Sequence, residues 1–409
     1  MNDKHLLKYA KLIVRTGVNI QKGQKLIISS PIECVDFTRM ITEIAYKEGA
    51  SDVIIDWKDD ILSKIKYLNA PESSLDEFPK WKKAFYDSII DEKSAFLSIS
   101  ASDPEIMNGV DQDRIAKAKK ARIKGIKKFM ENYMANRISW CVVSIPTKAW
   151  AKKVFPKISE DEAIEKLWDA IFKTVRGDRE DPVAAWDEHK NELKKKIDFL
   201  AENNFKYLYY KNSKGTDLKI ELPENHVWFG GSEYTPEGLE FIANMPTEEV
   251  FTMPKKTGAN GTVVSSKPLN YNGNLIEEFT ITFKEGKVID YNAKKGFETL
   301  KSLLELDEGS KYLGEVALVP FDSPISNSGI MFYNTLFDEN ASCHLAFGKA
   351  YPTCIKNGEN MSKEELEKAG VNNSINHVDF MIGTEDLSII GVTQEGKEIP
   401  VFVDGNFAN

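Results

Sequence analysis

The chain has 409 residues, 42% of them hydrophobic and 29% charged, which is an ordinary globular composition and excludes disorder as a description of the whole. A formal charge of −9 argues against a general nucleic-acid binder, which carries a basic footprint. No segment has the uninterrupted apolar length that spans a bilayer, and the charged opening MNDKHLLKYAKLIV lacks the apolar centre of a secretory signal.

In chain order, Leu6, Leu7, Ala10, Leu12 and Ile13 fall at helical spacing. GQKLIISS (23–30) reads as a buried strand and 35–46 as a helix, with further strands at SDVIIDW (51–57) and KSAFLSISAS (93–102). A long charged helix is expected around 112–135, then a fourth strand in RISWCVVSIPT (137–147). Apolar strands alternating with amphipathic helices are the pattern of a parallel sheet covered on both faces. Residues 1–203 are therefore expected to form a Rossmann-like α/β domain that ends in a charged helical bridge over 156–203. His189 lies in that bridge among Glu188, Lys190 and Glu192, a context that reads as a solvated face. No GxGxxG or GxxxxGK[ST] follows any of these strands, so a nucleotide is not implied.

From Lys206 the texture changes to short strands rich in β-branched and aromatic residues, with FKEGKV marking a hairpin that turns at Gly286. Helices are sparse there, chiefly 294–305 and 362–369. Residues 204–409 are expected to form an α+β domain around a largely antiparallel, curved sheet. The four cysteines, Cys34, Cys141, Cys343 and Cys354, are scattered without a CxxC pair, which suits reduced thiols and a cytoplasmic location.

Groups able to hold a metal gather in this second half. LFDENASCHLAFGKAYP (336–352) sets Asp338, Glu339, His344 and Tyr351 among small residues that let ligands converge. MPTEEVFTMP (245–254) brings Glu248 and Glu249 to the start of an apolar strand, and LGEVALVP places Glu315 in another. In INHVDF (375–380), His377 and Asp379 are two apart, so on a strand they project from one face. Each has a bland alternative, a solvent-facing acid or a satisfied core histidine, and what favours a metal site is their number within apolar segments. Carboxylates and imidazoles without a thiolate cluster suit Zn²⁺, Co²⁺ or Mn²⁺ in a hydrolytic site. Four of these acids with the two histidines exceed the needs of one ion and fit two ions with a bridging carboxylate. HExxH and GxSxG are both absent from the sequence.

At NMPTEEVFTMP (244–254), LGEVALVPFDSPIS (313–326), GIMFYNTLFDENASCHLAFGKAYP (329–352) and NHVDFMIG (376–383) the chain resembles the thermophilic aminopeptidase family of metallopeptidases, peptidase family M29. The resemblance covers essentially the whole chain and is strongest after residue 240. It implies a hydrolase that removes N-terminal residues from small peptides with two divalent ions, Zn²⁺ or Co²⁺, with Mn²⁺ or Mg²⁺ as further candidates. By motif it carries over Glu249, Glu315, Glu339, His344, His377 and Asp379 as ligands, with Glu315 as the bridge. It further implies Tyr351 as an active-site tyrosine, and on physical grounds a carboxylate beside the activated water, Glu248 or Glu315, could shuttle a proton to the leaving amine. A homodimer whose active sites face a shared cavity is also implied.

Two other readings compete. An iron-dependent ring-cleaving dioxygenase needs two histidines and one carboxylate, which His344, His377 and Asp379 could supply, but the surplus acids argue against it. A non-catalytic binding protein could use the basic run AKAKKARIKGIKK (116–128), although flanking acids favour a solvated helix face. His226 and Trp228 are candidates for a substrate cleft, with packing as the alternative.

Overall fold

A computed structural model describes residues 3–271 and 274–408. The described residues form two compact units, one of 1–188 with 232–246 and the other of 189–231 with 247–409. This division differs from a single boundary at 203/204 in two places: 189–203 joins the second unit and 232–246 joins the first.

The first unit is built on four parallel strands in the order Asp52–Lys58, Lys25–Pro31, Ala95–Ile99 and Trp140–Val143. Leu26, Ile27 and Ile28 are all buried, as continuous apolar runs require when both faces are covered. The charged helix expected over 112–135 is two helices, Gln112–Gly125 and Lys127–Tyr133. The break falls beside Gly125, where a side chain would collide with the Phe78 ring. The helical bridge resolves into Glu160–Thr174, capped by Ser159, and Pro182–Asn203.

The second unit holds two large antiparallel sheets rather than one. The larger includes Phe205–Lys211, Asp217–Glu221, Ala259–Val264 and the hairpin Asn274–Lys284/Lys287–Lys295, and it continues through Ser388–Thr393 and Glu398–Val403. The smaller has five strands in the order His377–Met381, His344–Gly348, Leu313–Leu318, Val250–Thr252 and Phe229–Gly230. Its two faces have separate roles. Val250, Val316, Leu318, Leu345, Phe347 and Phe380 belong to the unit's main apolar core. The alternate positions, pointing the other way by the two-residue period of a strand, carry the candidate ligands.

Candidate metal centre

Register explains why the ligands converge. Glu315 pairs with Ala346, and Ala346 with Asp379, so one row runs across three strands with a small residue between two acids. His344 and His377 lie two positions before Ala346 and Asp379, on the same face. Glu249 immediately precedes the strand that pairs with Leu313–Leu318 from the other side. Toward the His344–Gly348 strand, Gly314 admits a close approach, because a side chain there would collide with the carbonyls of Gly348 and Lys349.

The side chains meet as this register requires. His344 Nε2 lies 3.1 Å from Glu249 Oε2 and 3.4 Å from Glu315 Oε1. His377 Nε2 lies 3.5 Å from Glu315 Oε2 and 3.3 Å from Asp379 Oδ1. Two sets, Glu249–Glu315–His344 and Glu315–His377–Asp379, each place their ligand atoms within 4.8 Å of one another. Tetrahedral zinc with bonds of about 2.0–2.1 Å separates its ligand atoms by roughly 3.3 Å, so these spacings fit a divalent ion. Glu249 Oε2 and Asp379 Oδ1 are buried and accept no hydrogen bond, a costly arrangement for carboxylates unless a cation satisfies them.

The imidazoles are oriented from behind. His377 Nδ1 lies 2.7 Å from the Lys349 carbonyl and His344 Nδ1 lies 3.3 Å from the Ser342 carbonyl. A proton donated from each Nδ1 leaves Nε2 to present its lone pair to the centre, the arrangement usual for metal-binding histidine. Asn340 ties the acid-bearing segments together: its Oδ1 accepts from the Glu248 amide at 2.7 Å and its Nδ2 donates to the Leu336 carbonyl.

Burial and mutual charge together set the protonation of the cluster. Burial disfavours charge on His344, but Glu249 and Glu315 outweigh it and raise the imidazole well above its usual range. Burial likewise opposes charge on His377, and Asp379 and Glu315 overcome it, pushing the ring up to about 9. Burial raises Glu315 despite both histidines, whereas His377 holds Asp379 below the usual carboxylate range against burial. Glu339, buried in the short turn Glu339–Ala341, is pushed well up by burial and then by Asp379 and Glu249.

Glu339 and Glu248 are both buried but stand outside the two converging sets. Glu248 Oε2 lies 3.6 Å from His189 Nε2, which also meets the Thr247 carbonyl at 2.7 Å. His189 is thus not on a solvated face; its charged neighbours in sequence hid an inward-facing position. Tyr351 packs edge-on against His377 with ring centroids 4.9 Å apart. His226 turns Nδ1 to the Pro223 carbonyl, and Trp228 lies in the apolar core, as packing residues do.

The fold and site define a chain with a group of carboxylates and imidazoles that could hold a metal ion on one face of an antiparallel sheet. The family described as thermophilic metalloprotease (M29) matches residues 2–407. Aminopeptidase 2 of Geobacillus stearothermophilus is 50% identical over 406 residues, covering 99% of this chain and 98% of that protein. The solved structure of wild-type AmpT from Thermus thermophilus superposes with a TM-score of 0.92 at 38% identity, covering 100% of both chains. The chain belongs to the thermophilic metalloprotease (M29) family. A 2,5-dihydroxypyridine dioxygenase of Pseudomonas putida KT2440 is also similar, with a TM-score of 0.50 at 10% identity over 99% of this chain and 96% of that one. That likeness is one of fold alone, and the dioxygenase alternative is not favoured.

Proposed function

We propose that this chain is a metal-dependent aminopeptidase that releases the N-terminal residue of small peptides at a dinuclear centre. The observation that carries this reading is the placement of Glu315, whose two oxygens each face a different imidazole while Glu249 completes one set and Asp379 the other. A carboxylate so placed suits a bridge between two divalent ions, Zn²⁺ or Co²⁺, with Mn²⁺ or Mg²⁺ as further candidates. Glu339, whose charge is felt by the same carboxylates, is the proposed sixth ligand. Ions bound there supply Lewis acidity toward a peptide carbonyl and acidify water.

The chain's own groups do the rest. The Tyr351 hydroxyl, carried on a ring that His377 supports, is proposed to donate a hydrogen bond to the oxyanion that develops during attack. Both oxygens of Glu315 face imidazoles, so Glu248 is preferred as the carboxylate that moves a proton to the leaving amine. An acid of the cluster would receive the substrate's free α-amine and restrict cleavage to the first residue.

We further propose a Rossmann-like character for the first unit, a cytoplasmic location and a homodimer. Parallel strands order the first unit, and all four cysteines are buried and outside any disulfide. No helix among the described residues is long and apolar enough to cross a membrane. The dimer is supported by the helix Asp60–Asn69, which buries none of its residues and exposes Ile61, Leu62, Ile65 and Leu68.

The test is cleavage of aminoacyl-p-nitroanilides by stripped protein reloaded with Co²⁺ or Zn²⁺, with metal content measured in parallel. Metal-dependent release, absent with N-acetylated substrates and lost in Glu315→Gln, is expected at two ions per chain. No release with any metal would overturn the aminopeptidase reading, and full activity at one ion per chain would overturn the bridge.

A further inference from the structure

The helix Pro182–Asn203 turns one face to the core of the second unit, where Leu193 and Leu200 are buried and Ile197 packs beside them. His189 lies one turn before Leu193 on that face, at a position where the helical period calls for an apolar side chain. A polar group is costly in such a place unless it is bonded. His189 is bonded: its side chain is only 10% exposed, and its Nε2 meets the Thr247 carbonyl at 2.7 Å. A carbonyl oxygen can only accept, so Nε2 carries a proton and donates it.

The same peptide unit is held at its other end. Its N–H, on Glu248, donates to Asn340 Oδ1 at 2.7 Å, and the fully buried Asn340 is anchored in turn to the Leu336 carbonyl at 3.0 Å. Thr247, Glu248 and Glu249 are all buried and come before the strand Val250–Thr252. Two side chains therefore satisfy polar backbone groups that a sheet ladder would otherwise satisfy. A peptide tied at both its carbonyl and its amide has a fixed plane, and that plane sets the direction in which Glu248 leaves the backbone. Glu248 Oε2 also lies 3.6 Å from His189 Nε2, beyond a hydrogen bond but near enough to be drawn toward the N–H. Glu249 has the adjoining strand to place it, whereas Glu248 depends on this clamp.

We propose that His189 is a positioning residue, which holds Glu248 where its carboxylate can move a proton. The inference rests on the aminopeptidase reading, in which Glu248 carries a proton to the leaving amine. It also excludes His189 as a relay behind Glu248. A relay would have to accept a proton at Nε2, the ring nitrogen that faces the carboxylate, and that nitrogen already holds one committed to Thr247.

The experiment compares His189→Phe and His189→Gln in the full-length, Co²⁺-loaded protein. Phenylalanine keeps a flat ring but has no donor, and glutamine carries an amide N–H at about the reach of Nε2. With aminoacyl-p-nitroanilides, His189→Phe is expected to lower kcat about tenfold or more, with KM and bound Co²⁺ near the parent's. His189→Gln should recover most of that loss. In a Glu248→Gln background, His189→Phe should lower kcat by less than about twofold further, because the residue acts through Glu248. Equal falls in both backgrounds, or full activity of His189→Phe beside an active parent, would overturn the inference alone. A parent inactive with every metal would remove the aminopeptidase reading and this inference with it. A second readout needs neither metal nor substrate. In metal-stripped protein labelled with [¹⁵N]histidine, His189→Phe should delete the nuclear magnetic resonance signal of one ring whose Nε2 holds a slowly exchanging proton. Deletion of a ring protonated at Nδ1 alone would overturn the clamp.

Discussion

Tyr351 combines packing with hydrogen-bond donation, and removing its phenol oxygen separates the two. Tyr351→Phe keeps the ring contacts with His377 and Phe251 but loses the donor. If the hydroxyl stabilises a developing oxyanion, kcat falls by about 10²-fold while KM and metal content stay near the parent's. Loss of metal in that variant would instead assign the tyrosine to holding the site together. His377 permits a test that needs no substrate. Its imidazole is raised to about 9 against burial, chiefly by Asp379, so its protonated form favours the folded state. That contribution is complete below the unfolded value of about 6.5 and is lost as pH rises through about 9. Thermal midpoints of metal-stripped protein should therefore fall between those pH values, and fall less steeply in Asp379→Asn, which lacks the main charge partner. An equal slope in the variant would remove Asp379 as the cause. His377 and Asp379 were legible in the sequence because two-residue spacing in an apolar strand leaves few alternatives. His189 was not, since its charged neighbours describe one side of a helix while its own side chain turns inward to Thr247 and Glu248.

At the scale of elements, the site depends on one row of the five-stranded sheet. Glu315, Ala346 and Asp379 are aligned across three strands, and the alanine leaves the space into which both acids and both imidazoles point. Ala346→Val suits a strand by propensity, so the backbone has no reason to refuse it. Its extra methyl groups would stand between Glu315 and Asp379, at a cost in a packed site of about 1–3 kcal/mol. The expected result is a folded protein with a modestly lower thermal midpoint that retains little metal after dialysis. Normal metal content would show that the row has slack and that the small residue is incidental. Sequence patterning anticipated antiparallel strands in this half and placed Glu315 and His377 on them, but not His344, whose strand His344–Gly348 was not anticipated. It could not divide them between two sheets, because alternation records which residues turn inward but not which strand lies alongside. The break in the Gln112–Tyr133 stretch was hidden for a related reason. The first helix ends at Gly125, where only a residue without a side chain fits against Phe78, far away in sequence.

For the whole molecule, the sharpest physical question is what covers the helix Asp60–Asn69. Ile61, Leu62, Ile65 and Leu68 recur at the spacing of one helical face, and Leu62 is 62% exposed. Trp57, just before that helix, and Trp81, 71% exposed, add aromatic surface in the same unit. An apolar stripe on water is costly unless something apolar meets it, and aromatic residues are enriched where proteins associate. A second copy of the chain is the simplest partner, because a two-fold axis through the stripe brings identical apolar residues together. The proposed homodimer should then sediment as a dimer at micromolar concentration, while Leu62→Glu with Ile65→Glu sediments as a monomer. The two new carboxylates would face their own copies across the axis, where like charges are strongly unfavourable. Neither residue is buried within the subunit, so the variant should keep its fold and its metal. Parent protein sedimenting as a monomer would remove the dimer altogether. A variant that stays dimeric would move the interface away from this helix and leave the stripe to another partner.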